Sequence, residues 1–137
     1  MQKQVEIVEI HPDSLLEILT EASLPVSDID PDSSTFYGAI FNNKVVGCIG
    51  FQELGETALL RSLAVKDSFQ KQGLGKELTN KVIKEAGKRA KASIYLLTTD
   101  AELFFVRMGF QKNNKSICSR RFEKKRNNTA KSVPTPL

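Results

Sequence analysis

The segment LLRSLAVKDSFQKQGLGK, residues 59–76, runs from an apolar strand-like stretch through a polar turn into Gln70-x-x-Gly73-x-Gly75, with Lys76 directly after. Apolar residues at Leu74, Leu78, Val82, Ile83, Ala86 and Ala90 then recur at helical spacing over 73–91. Strand, glycine loop and helix in that order form one unit of an α/β fold, and the loop is an anion cradle. The glycines permit positive φ and let an anion approach the main chain, while the helix start adds unpaired N–H groups and the positive end of its dipole. Two better-known phosphate loops fail on the letters. A G-x-G-x-x-G fingerprint needs glycine at 78, which is Leu78. A G-x-x-x-x-G-K-[ST] loop needs glycine at 70 and Ser or Thr at 77, where Gln70 and Glu77 stand.

Elsewhere strand and helix periodicities alternate. Val5, Ile7 and Ile10 predict a first strand. Leu15, Leu16, Ile18, Leu19 and Ala22 predict a helix capped by Asp13 or Ser14. A polar link, LPVSDIDPDSS, precedes strands over 35–41 and 44–53 joined by a tight Asn42-Asn43 turn. A further strand spans 57–65. Residues 93–99 read as an apolar strand buried on both faces, with Tyr95 in the core. A helix over 100–108 ends at Gly109, and one or two strands follow from Phe110, the second over 116–122.

The chain has 137 residues, which suits one domain. We place it at 1–122, followed by a basic, disordered tail over 123–137. Net charge is +4, yet residues 1–111 hold 12 basic and 15 acidic side chains, whereas residues 112–137 hold eight basic and one acidic. The basic character therefore belongs to the C-terminal end. Its run Arg120, Arg121, Lys124, Lys125, Arg126 reads as a solvated strand end and terminus in preference to a nucleic-acid site. No apolar run approaches membrane-spanning length, and the first residues lack the apolar core of a signal peptide, so a cytoplasmic protein is expected. Two cysteines, Cys48 and Cys118, and the single His11 suggest neither a disulfide framework nor a metal site. Cys48 reads as a small core residue and His11 as a turn residue.

The spacing Leu63-Ala64-Val65 followed by Gln70-x-x-Gly73-x-Gly75 resembles the coenzyme A pyrophosphate loop of the GNAT (GCN5-related N-acetyltransferase) superfamily. A second segment in register, Ala101-Glu102-Leu103-Phe104-Phe105-Val106-Arg107-Met108-Gly109-Phe110, is similar to the family's late A-x-x-F/L-Y-x-x-x-G-F helix. The resemblance implies an α/β fold with a mixed, mostly antiparallel sheet, helices on both faces, and a splayed strand pair that holds the coenzyme. LLRSLAV, IYLLTTDAELFFVRMGF and EASLPVSDID further resemble the arsenic-resistance N-acetyltransferase subgroup, over residues 5 to about 111. Beyond that the chain departs, because Cys118 is followed by serine where the subgroup carries a Cys-Pro element.

What the resemblance implies is transfer of an acetyl group from acetyl-CoA to a primary amine of a small, amino-acid-like acceptor, without a metal. A non-catalytic acyl-CoA-binding module on the same fold is the alternative. A homodimer is possible, with the C-terminus completing the sheet within one chain or across two. Main-chain groups of Leu63, Ala64 and Val65 would meet the pantetheine arm, with the Leu63 or Val65 N–H holding the acyl oxygen. Gln70, Lys71, Gln72, Gly73, Leu74, Gly75 and Lys76 would wrap the pyrophosphate, with Thr98 and Phe105 beside the coenzyme. The family's thiolate-protonating tyrosine falls at Phe105, which has no proton to give and reads better as packing.

Three side chains are candidates for the chemistry. Arg61, counted by twos onto the face of Leu63 and Val65, is either a structural ion pair or a clamp for a substrate carboxylate or oxyanion. Glu53 is a candidate base, and Tyr37 a group bordering the acceptor. Asp28, Asp30 and Asp32 could attract an ammonium group, and Ser62, Thr98 and Thr99 could offer hydrogen bonds.

Overall fold

The computed structural model describes residues 5–24, 33–98, 101–113 and 117–122. Seven strands, β1 (Glu6–Ile10), β2 (Ser34–Phe41), β3 (Lys44–Leu54), β4 (Thr57–Val65), β5 (Ser93–Leu97), β6 (Gln111–Lys112) and β7 (Ile117–Arg121), form one sheet in the order β1-β2-β3-β4-β5-β7-β6. Every pairing is antiparallel except β4 with β5. That parallel pair needs a crossover, supplied by helix α2 (Leu74–Lys88). β7 pairs with β5 of the same chain, so the sheet is completed within one molecule.

Two apolar clusters lie on opposite faces. On one, Leu74, Leu78, Val82 and Ala86 of α2 pack with Phe51, Ile49, Ala58 and Leu60 of the sheet, joined by Phe105 of helix α3 (Glu102–Arg107). On the other, Leu15, Ile18 and Leu19, from a 3-10 turn over Pro12–Leu15 and helix α1 (Leu16–Glu21), pack on Phe36, Cys48 and Ala64. Gly50 must be bare, because a Cβ there would lie 2.5 Å from the Phe36 ring on the α1 side.

Local chemistry ends each element. Asn42 and Asn43 both take positive φ, 52° and 62°, the geometry a two-residue hairpin needs. The first helix is capped by His11, whose Nδ1 accepts from the Asp13 N–H at 3.1 Å, in place of the expected Asp13 or Ser14. Helix α2 stops at Lys88. Ala90 turns left-handed at φ 61°, and the Lys91 N–H returns to the Ala86 carbonyl, so Ala90 leaves the apolar face assigned to it.

β5 corrects a second expectation. Ile94 and Leu96 are buried, but Tyr95 is 37% and Leu97 68% exposed. Among the described residues α1 packs chiefly over β3 and β4, and the side chains of β5 that are buried face α2. An unbroken apolar run therefore marks a half-buried strand.

Candidate active site

β4 carries the decisive irregularity. Cys48 pairs with Ala64 but Gly50 pairs with Arg61, so one extra β4 residue stands opposite Ile49. Ser62 takes φ 61°, a left-handed conformation that costs a non-glycine residue about 1 kcal/mol. The bulge resets the alternation of side chains. Leu63 and Val65 pack toward α2, whereas Arg61, opposite Gly50, lies on the α1 face with Ala64. The expectation that Arg61 shares a face with Leu63 and Val65 is thereby corrected. The residue inserted between them turns counting by twos into the wrong face.

The same stretch of β4 leaves β5. Their pairing runs only from Thr57 with Ser93 to Leu59 with Tyr95. Beyond it the strands diverge around a cavity of about 620 Å³, walled by Leu60 to Leu63 on β4, by Leu96 and Leu97 on β5, and by Thr98 just after it. Ala101 and Phe105 close it from α3, and Leu24 from the end of the first helical segment. A crevice at the carboxyl ends of adjacent parallel strands is where open α/β sheets bind ligands. Thr98 also accepts the Ala101 N–H at 3.0 Å, anchoring the start of α3.

The glycine loop starts where β4 ends. Lys71 (φ 64°) and Gly73 (φ 84°) are both left-handed, flanking Gln72, and Gly73 is the N-cap of α2. Among the described residues, the N–H groups of Lys71, Gln72 and Gly73 have no acceptor, and those of the first helical turn are free by geometry. Alternation of this kind turns successive N–H groups toward one point. Lys71 and Lys76 are exposed, and the ring of Phe104 sits 3.7 Å from where a Cβ of Gly75 would be.

Gln70, expected to join in wrapping the pyrophosphate, has its amide and its N–H engaged within the loop. Its amide donates to the Val65 carbonyl at 2.8 Å and to Asp67 Oδ1 at 3.3 Å, and its N–H is taken by the Asp67 carbonyl. It ties the loop to the end of β4. Gln72 similarly donates to the Ser68 carbonyl at 3.1 Å. The side chains of Leu74 and Ala64 are buried in the two cores, so only their main chain is available to a ligand.

Of the three candidate side chains, only Arg61 borders the cavity, its Nε 3.3 Å from Ser62 Oγ. Tyr37 is 3% exposed on the α2 face, with the Lys81 ammonium 5.3 Å from its ring centre. Burial, then the charge of Glu85, pushes its hydroxyl up to about 12, so it keeps its proton at neutral pH. Glu53 stands at the far end of the β3–β4 hairpin, opposite Ala58. It accepts from Arg89 at 2.6 Å and lies 3.0 Å from Lys91 Nζ. Asp28, Asp30, Asp32, Thr99 and the tail lie outside the described residues.

Glu53 makes a testable electrostatic tie between the hairpin and the end of α2. Hydrogen bonds from Lys91 and Arg89 hold its carboxyl below the ordinary 4.5. A lowered carboxylate pKa stabilises the fold above the ordinary value, and that contribution is lost as pH falls through the folded one. Glu53→Gln is expected to cost about 1 kcal/mol at pH 7, with the two melting temperatures converging toward pH 3. A gap that stays constant with pH would assign the loss to packing.

A seven-stranded sheet opened between its parallel strands β4 and β5, above a glycine loop at a helix start, defines an α/β class with a crevice at the sheet's centre. The model of the acetyltransferase (GNAT) family matches residues 5–110, and the chain belongs to that family. Solved structures share the fold. A GNAT-family acetyltransferase from Staphylococcus aureus Mu50 superposes with a TM-score of 0.69 at 23% identity, over 86% of this chain and 99% of that one. PaiA N-acetyltransferase from Thermoplasma acidophilum, in complex with coenzyme A, gives 0.69 at 14% identity, over 87% and 99%. N-acetylglutamate synthase from Neisseria gonorrhoeae, complexed with coenzyme A and N-acetyl-glutamate, gives 0.72 at 18% identity over 90% of this chain but 36% of that one. No described helix is long and apolar enough to cross a membrane, and no group of described residues gathers three metal-ligating side chains.

Proposed function

We propose that the chain is an acetyl-CoA-dependent N-acetyltransferase acting on a primary amine of a small, amino-acid-like acceptor in a ternary complex. The observation that carries this reading is the divergence of β4 from β5 beyond Leu59 and Tyr95, directly beside the loop at 71–76. The free N–H groups at Lys71, Gln72, Gly73 and the first turn of α2, with Lys71 and Lys76, would hold the pyrophosphate. The β4 main chain from Leu63 to Val65 would meet the pantetheine arm, leading the acyl group into the cavity beside Thr98 and Phe105.

Acetyl-CoA supplies an activated thioester; the amine nitrogen bonds to its carbonyl carbon as the carbon–sulfur bond breaks. The amine proton passes to water, since no carboxylate or imidazole of the described residues lines the cavity. The thiolate takes a proton from solvent, which a leaving group with a pKa of about 8.5 permits, because Phe105 has no proton to offer. Arg61, on the α1 face, would hold an acceptor carboxylate, so the acceptor enters from the side opposite the pyrophosphate loop. Glu53 and Tyr37 have no catalytic part in this reading.

Acetyl-CoA at 100 times its dissociation constant is expected to stabilise the protein by about 2.7 kcal/mol, a rise of several degrees in melting temperature. ATP and NAD should leave it unchanged. Thiol release measured over a panel of anionic amines then identifies the acceptor class. Binding without turnover on any amine would favour the acyl-CoA-binding module, and no thermal shift at saturation would sink both readings.

A further inference from the structure

Cys48 is fully buried in β3, yet its thiol is placed for more than packing. Its Sγ donates to the Ser62 carbonyl at 3.2 Å, and Ser62 is the left-handed residue of the β4 bulge. The interaction spans the irregular site itself, where the β3–β4 register skips Ile49, Ser62 and Leu63. No described peptide bond is cis, so the Ser62 carbonyl and the Leu63 N–H point in opposite directions from one rigid plane. Pinning the carbonyl toward Cys48, on the α1 side, turns the Leu63 N–H away from it, toward the face that carries α2 and the loop. Leu63 borders the cavity, and its side chain packs on that same face.

We infer that Cys48 is a positioning residue that latches the Ser62–Leu63 peptide so that the Leu63 N–H, and not that of Val65, meets the oxygen of the acyl thioester. This rests on the acetyltransferase reading and adds to it a residue that never touches substrate. A donor must be fixed in advance to stabilise charge as it develops on an acyl oxygen, since a peptide free to swing would have to reorganise during the reaction. Ser62 cannot hold the plane unaided, because its left-handed conformation is costly and a relaxed strand would realign the carbonyl with the β-ladder. The hydrogen bond to Cys48 opposes that relaxation. Burial keeps the thiol protonated, with its pKa up at about 12, so it remains a donor throughout the working pH range.

The test compares three variants of the full chain: Cys48→Ser, which keeps a donor, and Cys48→Ala and Cys48→Val, which remove it and differ in volume. The primary readout is the infrared carbonyl band of acetyl-CoA labelled with 13C at the thioester, bound to each folded protein. Wild type and Cys48→Ser are expected to shift the band to lower frequency. Cys48→Ala and Cys48→Val should lose much of that shift while binding unacylated coenzyme A as before. With an accepted amine, kcat should fall on the order of tenfold or more in the donorless variants, with KM for acetyl-CoA little changed, and Cys48→Ser should restore it. A wild-type band in either donorless variant overturns the inference, as does its loss in Cys48→Ser. Wild-type protein that fails to bind acetyl-CoA instead defeats the acetyltransferase reading, and this inference falls with it.

Discussion

Phe51→Ala is expected to destabilise the protein by about 3–5 kcal/mol. Phe51 lies in β3 at the middle of the sheet, with no exposed surface, on the face covered by α2. The guanidinium of Arg89 stands 5.2 Å from its ring centre, so truncation removes a cation–π contact and opens a cavity. Backbone pairing to Thr35 on β2 and Leu60 on β4 holds the strand in place, so little collapse can fill that void. For a domain whose total stability is on the order of 5–15 kcal/mol, the loss should lower the melting temperature by roughly 10–20 °C. A measured change under about 1 kcal/mol would show that the α2 face is not the close-packed core described here.

Gly73→Glu should separate binding from folding. Nothing lies within 4 Å of a Cβ at this position, so the side chain meets no steric barrier. The substitution incurs a left-handed penalty at φ 84°, about 1 kcal/mol. A carboxylate at the N-cap of α2 offsets part of this through the helix dipole, by about 0.3–1 kcal/mol. The fold should therefore melt within a few degrees of wild type. Yet the new charge stands where the pyrophosphate is proposed to sit, so the stabilisation of about 2.7 kcal/mol by acetyl-CoA should vanish. Gly73→Ala, with the same backbone penalty and no charge, should keep a measurable part of the shift. If Gly73→Glu retained the whole of it, the loop would not be the coenzyme site.

Much of the architecture was legible in the chain because it depends on short-range periodicity. The α2 stripe of Leu74, Leu78, Val82 and Ala86, the Asn42-Asn43 turn and the left-handed Gly109 follow from local preferences that tertiary contacts did not override. The loop from Lys71 to Gly75 was legible for the same reason. Its conformation depends on where glycines stand relative to a strand end and a helix start.

The side-chain roles were not local. Tyr37 and Glu53 are ordinary candidates in the letters, but β2 turns the first toward Lys81 beneath α2, and β3 carries the second to Arg89 and Lys91. Gln70 belongs to the loop motif, yet its amide is consumed by Val65 and Asp67. Nothing in the letters marks Ser62 as left-handed, since glycine or asparagine would be the expected residue there. The bulge is the joint product of β3 register, the Cys48 hydrogen bond and the departure of β4 from β5.

By itself the sequence determined the order of strands and helices, the placement of the glycine loop and the family, because these rest on patterns within a few residues of one another. Only the tertiary structure decided which face Arg61 occupies, which candidates reach the cavity and which carbonyl the Cys48 thiol meets. One inserted residue in β4 reverses the side-chain alternation after it, and that insertion is set by contacts with a strand more than ten residues away.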